Sequence, residues 1–229
     1  MNFIKALLLG TLLYGTAQAA ESLTVDKTRL VPILGRIDGS IVDKANNLVK
    51  LANKSTKPVF LMVNSPGGSV RAGKVFIDAM EIVKSRGVTI NCFTTTYAAS
   101  MAFSILMHCD NRYVLENVTL LFHPIRIRFA GPLTAQLSLK MHEAMQPMDN
   151  ALLNQIEDSL NIDHQVMVNA FYDEKWWDAK ELRSVINDNW MTIVKDIKGI
   201  DGVFALEDSD LMQGDHEGEL ARFGYVFLN

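Results

Sequence analysis

The run Val59-Phe60-Leu61-Met62-Val63 is apolar without a break. A strand with one wet face would alternate, so this one predicts a strand covered on both sides. Shortly after it, Ala72, Val75, Phe76, Ala79, Met80 and Val83 recur at the spacing of one helix face. The same change of period repeats along the chain. Leu30 to Leu34 is a short strand-like run, and Ile41, Ala45, Leu48, Val49 and Ala52 follow helical spacing. Val88 to Phe93 is the next strand, Ala99 to Met107 a helix, and Val118 to Phe122 another strand. Strands alternating with helices need crossover connections, which predicts an α/β fold with a parallel sheet.

Both ends depart from this rhythm. Met1 to Ala20 pairs Lys5 with an apolar stretch from Ala6 to Tyr14 and a small-residue site at Ala17-Gln18-Ala19. That is the anatomy of a cleaved secretory signal, so residues 1–20 are set apart from the fold. The expected location is the periplasm or the cell exterior, with no membrane span in the mature chain. In such a compartment Cys92 and Cys109 form a disulfide or remain buried thiols, and the sequence leaves both open. From Leu133 to about Leu160 a long amphipathic helix carries Leu137, Met141, Ala144, Met148, Leu152 and Ile156 as its stripe. It either projects toward a partner or folds back on its own sheet. Residues 21–195 form the main domain. The acidic segment 196–229 reads as an extension ending in Phe223-Gly224-Tyr225-Val226-Phe227-Leu228.

The net charge of −4, with 21% charged residues, argues against nucleic acid as partner. No Cys/His spacing suits a zinc site, so no metal is expected. Chemistry has four places to sit. Asn64-Ser65-Pro66-Gly67-Gly68-Ser69 lies between a strand and a helix. It is either a plain turn or a loop whose amides face a developing anion. Tyr97-Ala98-Ala99-Ser100-Met101-Ala102 puts a serine between small residues at a strand-to-helix turn. That serine is a helix cap or a nucleophile. His123 directly follows a buried strand, where a general base would be held rigidly, and Pro124 fixes the exit of the chain. His108 lies eight residues past Ser100, about 12 Å along a helix, too far to serve as its base. His142, His164 and His216 lie on the long helix, after it, and in the acidic tail. Asp173 and Glu174 offer an acid to orient an imidazole, and Asp178 reads as the N-cap of a helix from Ala179 to Ile186.

Taken in order, Asn64-Ser65-Pro66-Gly67-Gly68-Ser69-Val70, Ala98-Ala99-Ser100-Met101, Phe122-His123-Pro124 and Trp176-Trp177-Asp178-Ala179 resemble the proteolytic subunit of the Clp protease. The resemblance covers roughly residues 30–195. It implies the ClpP/crotonase fold, a spiral of ββα units with a protruding strand-helix handle, here about residues 125–160. In the family that handle joins two rings face to face, so a homo-oligomer in rings is implied. Carried over, Ser100 is the nucleophile, His123 the general base, and the amides of Gly68 and Met101 the oxyanion hole. Asp173 is the implied acid, with Glu174 as alternate. Val70 and the edge segment Ile125-Arg126-Ile127-Arg128 are implied to contact an extended peptide by strand addition. No cofactor is implied.

The chain departs from the family pattern at Ala102, where Gly is usual, and at Pro124, where Gln usually intervenes before Pro. The acidic tail and the export signal are further departures. Outside the cytosol no ATP feeds an unfoldase, so the expected activity is an ATP-independent serine endopeptidase acting on peptides or unfolded proteins. Three alternatives share the fold: a catalytically impaired ring scaffold, a Ser-Lys signal-peptide-peptidase-like enzyme with Lys140 as base, and an acyl-CoA enzyme of the crotonase type.

Overall fold

The computed structural model describes residues 22–126, 134–186 and 189–203. The signal segment, Ile127, Arg128 and most of the acidic extension, His216 included, lie outside the described residues. In chain order the strands and α-helices are β1 (Leu23–Thr24), β2 (Leu30–Leu34), α1 (Ile41–Lys54), β3 (Val59–Asn64), α2 (Val70–Ser85), β4 (Ile90–Thr94), β5 (Tyr97–Ala99), α3 (Met101–Met107), β6 (Asn111–Leu115), β7 (Thr119–Leu121), α4 (Ala135–Leu160), α5 (His164–Tyr172), β8 (Trp176–Asp178), α6 (Ala179–Val185), β9 (Thr192–Val194) and β10 (Ile197–Lys198).

The main sheet runs β2-β3-β4-β6-β9, and every pairing in it is parallel. Its interior strand β3, flanked by β2 and β4, keeps Leu61, Met62 and Val63 fully buried, as its unbroken apolar run requires. A second sheet, β5-β7-β8, stands beside it, with β5 parallel and β8 antiparallel to β7. Apolar side chains from both sheets and the helices, among them Phe76, Phe103, Phe122 and Phe171, form the main core. A smaller cluster joins Leu23 and Val25 to Ile197 and Ile200, so the chain's described start pairs with its described end.

Cys92 on β4 and Cys109 after α3 are joined by a disulfide, with Cα atoms 5.9 Å apart. The C-terminal end of α3 is further held by Arg112. Its guanidinium donates to the carbonyls of Leu106 at 2.9 Å, Met107 at 2.7 Å and Cys109 at 2.5 Å. Burial lowers the Arg112 pKa to about 10.

Several sequence expectations are corrected. Ala99 ends strand β5 and Ser100 is not helical, so α3 begins at Met101. Tyr97–Ala99 is too short to declare a period. Val75 lies on the outer side of α2, 41% exposed, although its spacing fits the apolar stripe. The long helix is one element, but of its stripe only Ile156 is buried, together with Leu153 and Leu160 beside it. Leu139 and Met148 are 57% and 50% exposed, so this helix projects over most of its length.

Candidate active site

Three chain segments end side by side. Ser65 bridges Ala98 in parallel, and its backbone exchanges bonds with β5: Ser65 N–H to Tyr97 O at 3.1 Å and Ala99 N–H to Ser65 O at 3.0 Å. On the other side, Ala99 pairs with Leu121 of β7, and Ser100 N–H donates to Leu121 O at 2.8 Å. Neighbouring strands lie about 4.8 Å apart. This register therefore places Ser100 between the Gly67-Gly68 turn and the Phe122-His123 segment. All three sit at the carboxyl ends of parallel strands, where open α/β sheets keep their ligand sites.

Ser100 occupies φ 56° and ψ −126°, a conformation that a residue with a Cβ rarely adopts. Although it precedes α3, its side chain makes no capping hydrogen bond. This departs from a serine serving as a helix cap and matches the strained turn of a nucleophile elbow. The turn is shaped by glycine. Gly67, at φ 89°, packs so close that a Cβ there would lie 2.6 Å from Ser100 Cβ and 2.9 Å from the Met101 nitrogen. Its N–H is taken by the Ser65 hydroxyl at 3.0 Å.

Gly68 bridges Ile37: Ile37 N–H donates to Gly67 O and Ser69 N–H to Ile37 O, each at 2.8 Å. In a parallel bridge of this kind the residue between the two bonded ones turns its own N–H to the opposite side. That leaves the Gly68 amide pointing away from Ile37. The Met101 amide is the first of α3, without an intrahelical acceptor.

Ser100, Met101, Gly67, Gly68, His123 and Ile125 line one cleft of about 970 Å³. Val70 and Arg126 line it as well. The His123 Nδ1 lies 2.6 Å from the Pro124 carbonyl oxygen. A carbonyl only accepts, so Nδ1 carries the proton and Nε2 is left as the basic nitrogen. Burial holds the His123 pKa below its ordinary value. The Pro124 carbonyl, Glu174 and Asp149 act the other way, while Arg126 acts with burial.

The two sequence candidates for the acid are placed differently. Asp173 caps α5 and lines a separate small cavity with Val166, Asn169 and Lys175. Glu174, at φ 52°, pairs with Arg126 through two contacts between its carboxylate and the guanidinium. Asp149 on α4 was not singled out in the sequence. It accepts the Ile125 N–H at 2.7 Å and so ties the segment after His123 to α4. Nothing in its local spacing marks it, because the contact joins parts of the chain far apart in sequence. Lys140 lies on the exposed N-terminal half of α4 and is not among the residues lining the cleft. Asp178 caps α6 through a bond from Glu181 N–H at 2.7 Å. Among the described residues no group of three or more His, Cys, Asp or Glu is placed to hold a metal, and no helix is long and apolar enough to cross a membrane.

The Clp protease family matches residues 16–184. The chain is 29% identical to the ATP-dependent Clp protease proteolytic subunit of Lactococcus lactis subsp. cremoris, covering 68% of this chain and 78% of that one. It is 28% identical to the corresponding subunit of Streptococcus mutans, with 68% and 80% covered. Against proteolytic subunit 2 of Pseudomonas aeruginosa it is 30% identical, over 46% of this chain and 53% of that one, so the match spans about half that relative's length. In structure it resembles a ClpP1 mutant from Listeria monocytogenes, with a TM-score of 0.59 at 20% identity, covering 74% of this chain and 91% of the other. That likeness carries the ClpP/crotonase fold. With the motifs in order, the fold shared and the match running through the three strand ends described above, this chain belongs to the Clp protease family.

Proposed function

We propose that the chain is an exported, ATP-independent serine endopeptidase that cleaves peptides or unfolded proteins. The observation that carries the reading is Ser100 at φ 56°, uncapped, with Gly67 against it and His123 in the same cleft. His123 Nε2 takes the Ser100 proton as Oγ attacks the scissile carbonyl, and the Gly68 and Met101 amides receive the oxyanion. The imidazolium then protonates the leaving amine, and water, activated by the same nitrogen, releases the acyl group. An extended substrate would add as a strand along Ile125-Arg126, with Val70 lining the same cleft.

Of the two acids, Glu174 has the better support, since its charge favours the protonated imidazole whereas Asp173 lines another cavity. Export is supported by the signal-like leader together with the disulfide, which persists in oxidising compartments. The relatives carry ATP-dependent names. Independence from ATP follows here from the proposed location, and a stable complex with a cytosolic unfoldase would refute it.

A second reading, a ring scaffold with a silent site, has one observation in its favour. Among the described residues the His123 Nδ1 partner is a carbonyl rather than a carboxylate. Casein hydrolysis decides between them. Ser100→Ala and His123→Ala are each expected to lower the rate by about a thousand-fold or more. Glu174→Gln should cost more than Asp173→Asn. Wild-type rates from Ser100→Ala would refute the peptidase.

A further inference from the structure

The cleft continues past Ser100 along one face of α3. Ser104 and His108 follow Ser100 at intervals of four, which stacks them on the nucleophile's side of the helix, and all three line the cleft. The His108 Nδ1 lies 3.0 Å from the Ser104 carbonyl oxygen, so that nitrogen carries the proton. The remaining nitrogen, Nε2, then accepts from the Gln155 carboxamide N–H of α4 at 3.3 Å. This fixes the Gln155 amide in orientation. Among the described residues no hydrogen bond engages its carboxamide oxygen or the Ser104 hydroxyl. Apolar surface from Met101, Leu152 and Ile156 lines the same stretch. Charged lining comes from other elements: Lys74 and Asp78 on α2, and Arg36, Asp38 and Arg126 in loops.

We infer that Ser104, His108 and Gln155 form the specificity subsite for the residue whose carbonyl Ser100 attacks, and that it selects a neutral hydrogen-bonding side chain, glutamine. The inference rests on the peptidase reading and adds the substrate class. Ser104 stands one helical turn from Ser100, about 6 Å, which matches the length of an extended glutamine side chain. The apolar walls take its methylenes. The free Gln155 oxygen and the Ser104 hydroxyl take its carboxamide. Leucine fits the walls but offers neither polar group a hydrogen bond, and a site built to hydrogen-bond a ligand discriminates against one that cannot. Glutamate also fits the walls, but its carboxylate has no N–H to donate to the Gln155 oxygen, whereas a carboxamide has two.

The test is a set of fluorogenic peptides identical except for Gln, Leu or Glu before the cleaved bond. The wild-type kcat/KM is expected to favour Gln over Leu and over Glu by about five- to ten-fold. Ser104→Ala and Gln155→Leu, each checked for an intact melting transition, should bring the Gln/Leu ratio to about one or below. A wild-type ratio at or below one, or a ratio that neither variant changes, overturns the subsite while leaving the peptidase standing. Phosphonate labelling of wild-type Ser100 reads the peptidase separately, and its absence overturns both.

Discussion

Ser100 sits in a backbone region that costs a non-glycine residue about 1–3 kcal/mol, and its neighbours hold it there. Its N–H is fixed to Leu121 O, and Gly67 closes on its other side where a side chain would collide with backbone. His123 is the second residue whose surroundings set its chemistry. Burial keeps it neutral to a lower pH than a free imidazole. The acid limb of the kcat/KM profile should therefore have its midpoint below 6.5, and a midpoint at or above 6.5 would contradict the burial argument. Stability carries the same sign. The unfolded chain takes up a proton at about 6.5 while the folded one does not, so stability is lost as pH falls from 6.5 toward the folded value. Melting curves should then show wild type losing more stability on acidification than His123→Gln. The placement of Ser100, His123 and the paired glycines at strand ends was legible in the sequence, because each directly follows a short apolar or small-residue run. The surroundings of the carboxylates were not: neighbouring carboxylates look alike in a sequence, and the contacts of Glu174 and Asp149 are made across the fold.

At the scale of elements, α3 is held at both ends. Its N-terminus abuts the strained turn, and its C-terminus is tied by Arg112 and by the Cys92–Cys109 disulfide, which closes a separation of 17 residues. Removing a cross-link of that span costs about 3 kcal/mol in the chain-entropy account. A Cys92→Ala, Cys109→Ala double variant should melt about 6–12 °C below the wild type. Two reactive thiols in native protein purified without reductant would contradict the cross-link. The strongly periodic elements β2, α1, β3, α2 and β4 were legible within a few residues. The ones missed follow from their composition. β6 opens with Asn111 and Arg112, which look like loop, yet Arg112 packs against Trp190 and caps α3. β5 and β8 are three residues each and gain their identity only from pairing with β7.

Viewed whole, the molecule buries two sheets under helices and leaves α4 reaching outward, with Leu139 and Met148 more than half or half exposed. Apolar side chains displayed along a projecting helix point to a covering partner, and we propose further copies of the chain as that partner, because Clp protease family members usually form rings. Native mass measurement should give an assembly many times one chain, and a Leu139→Glu, Met148→Glu variant should give smaller species. A wild-type monomer would contradict that. The handle's outward course was legible only as one of two possibilities, since a helix stripe does not say whether its own sheet or another subunit covers it.

The most direct test of the central claim is to treat the folded protein with a fluorophosphonate probe, digest it and locate the added mass. The account predicts a single covalent adduct on Ser100, lost in Ser100→Ala and strongly slowed in His123→Ala. A folded protein that takes up no probe, or takes it up on another residue, would contradict it.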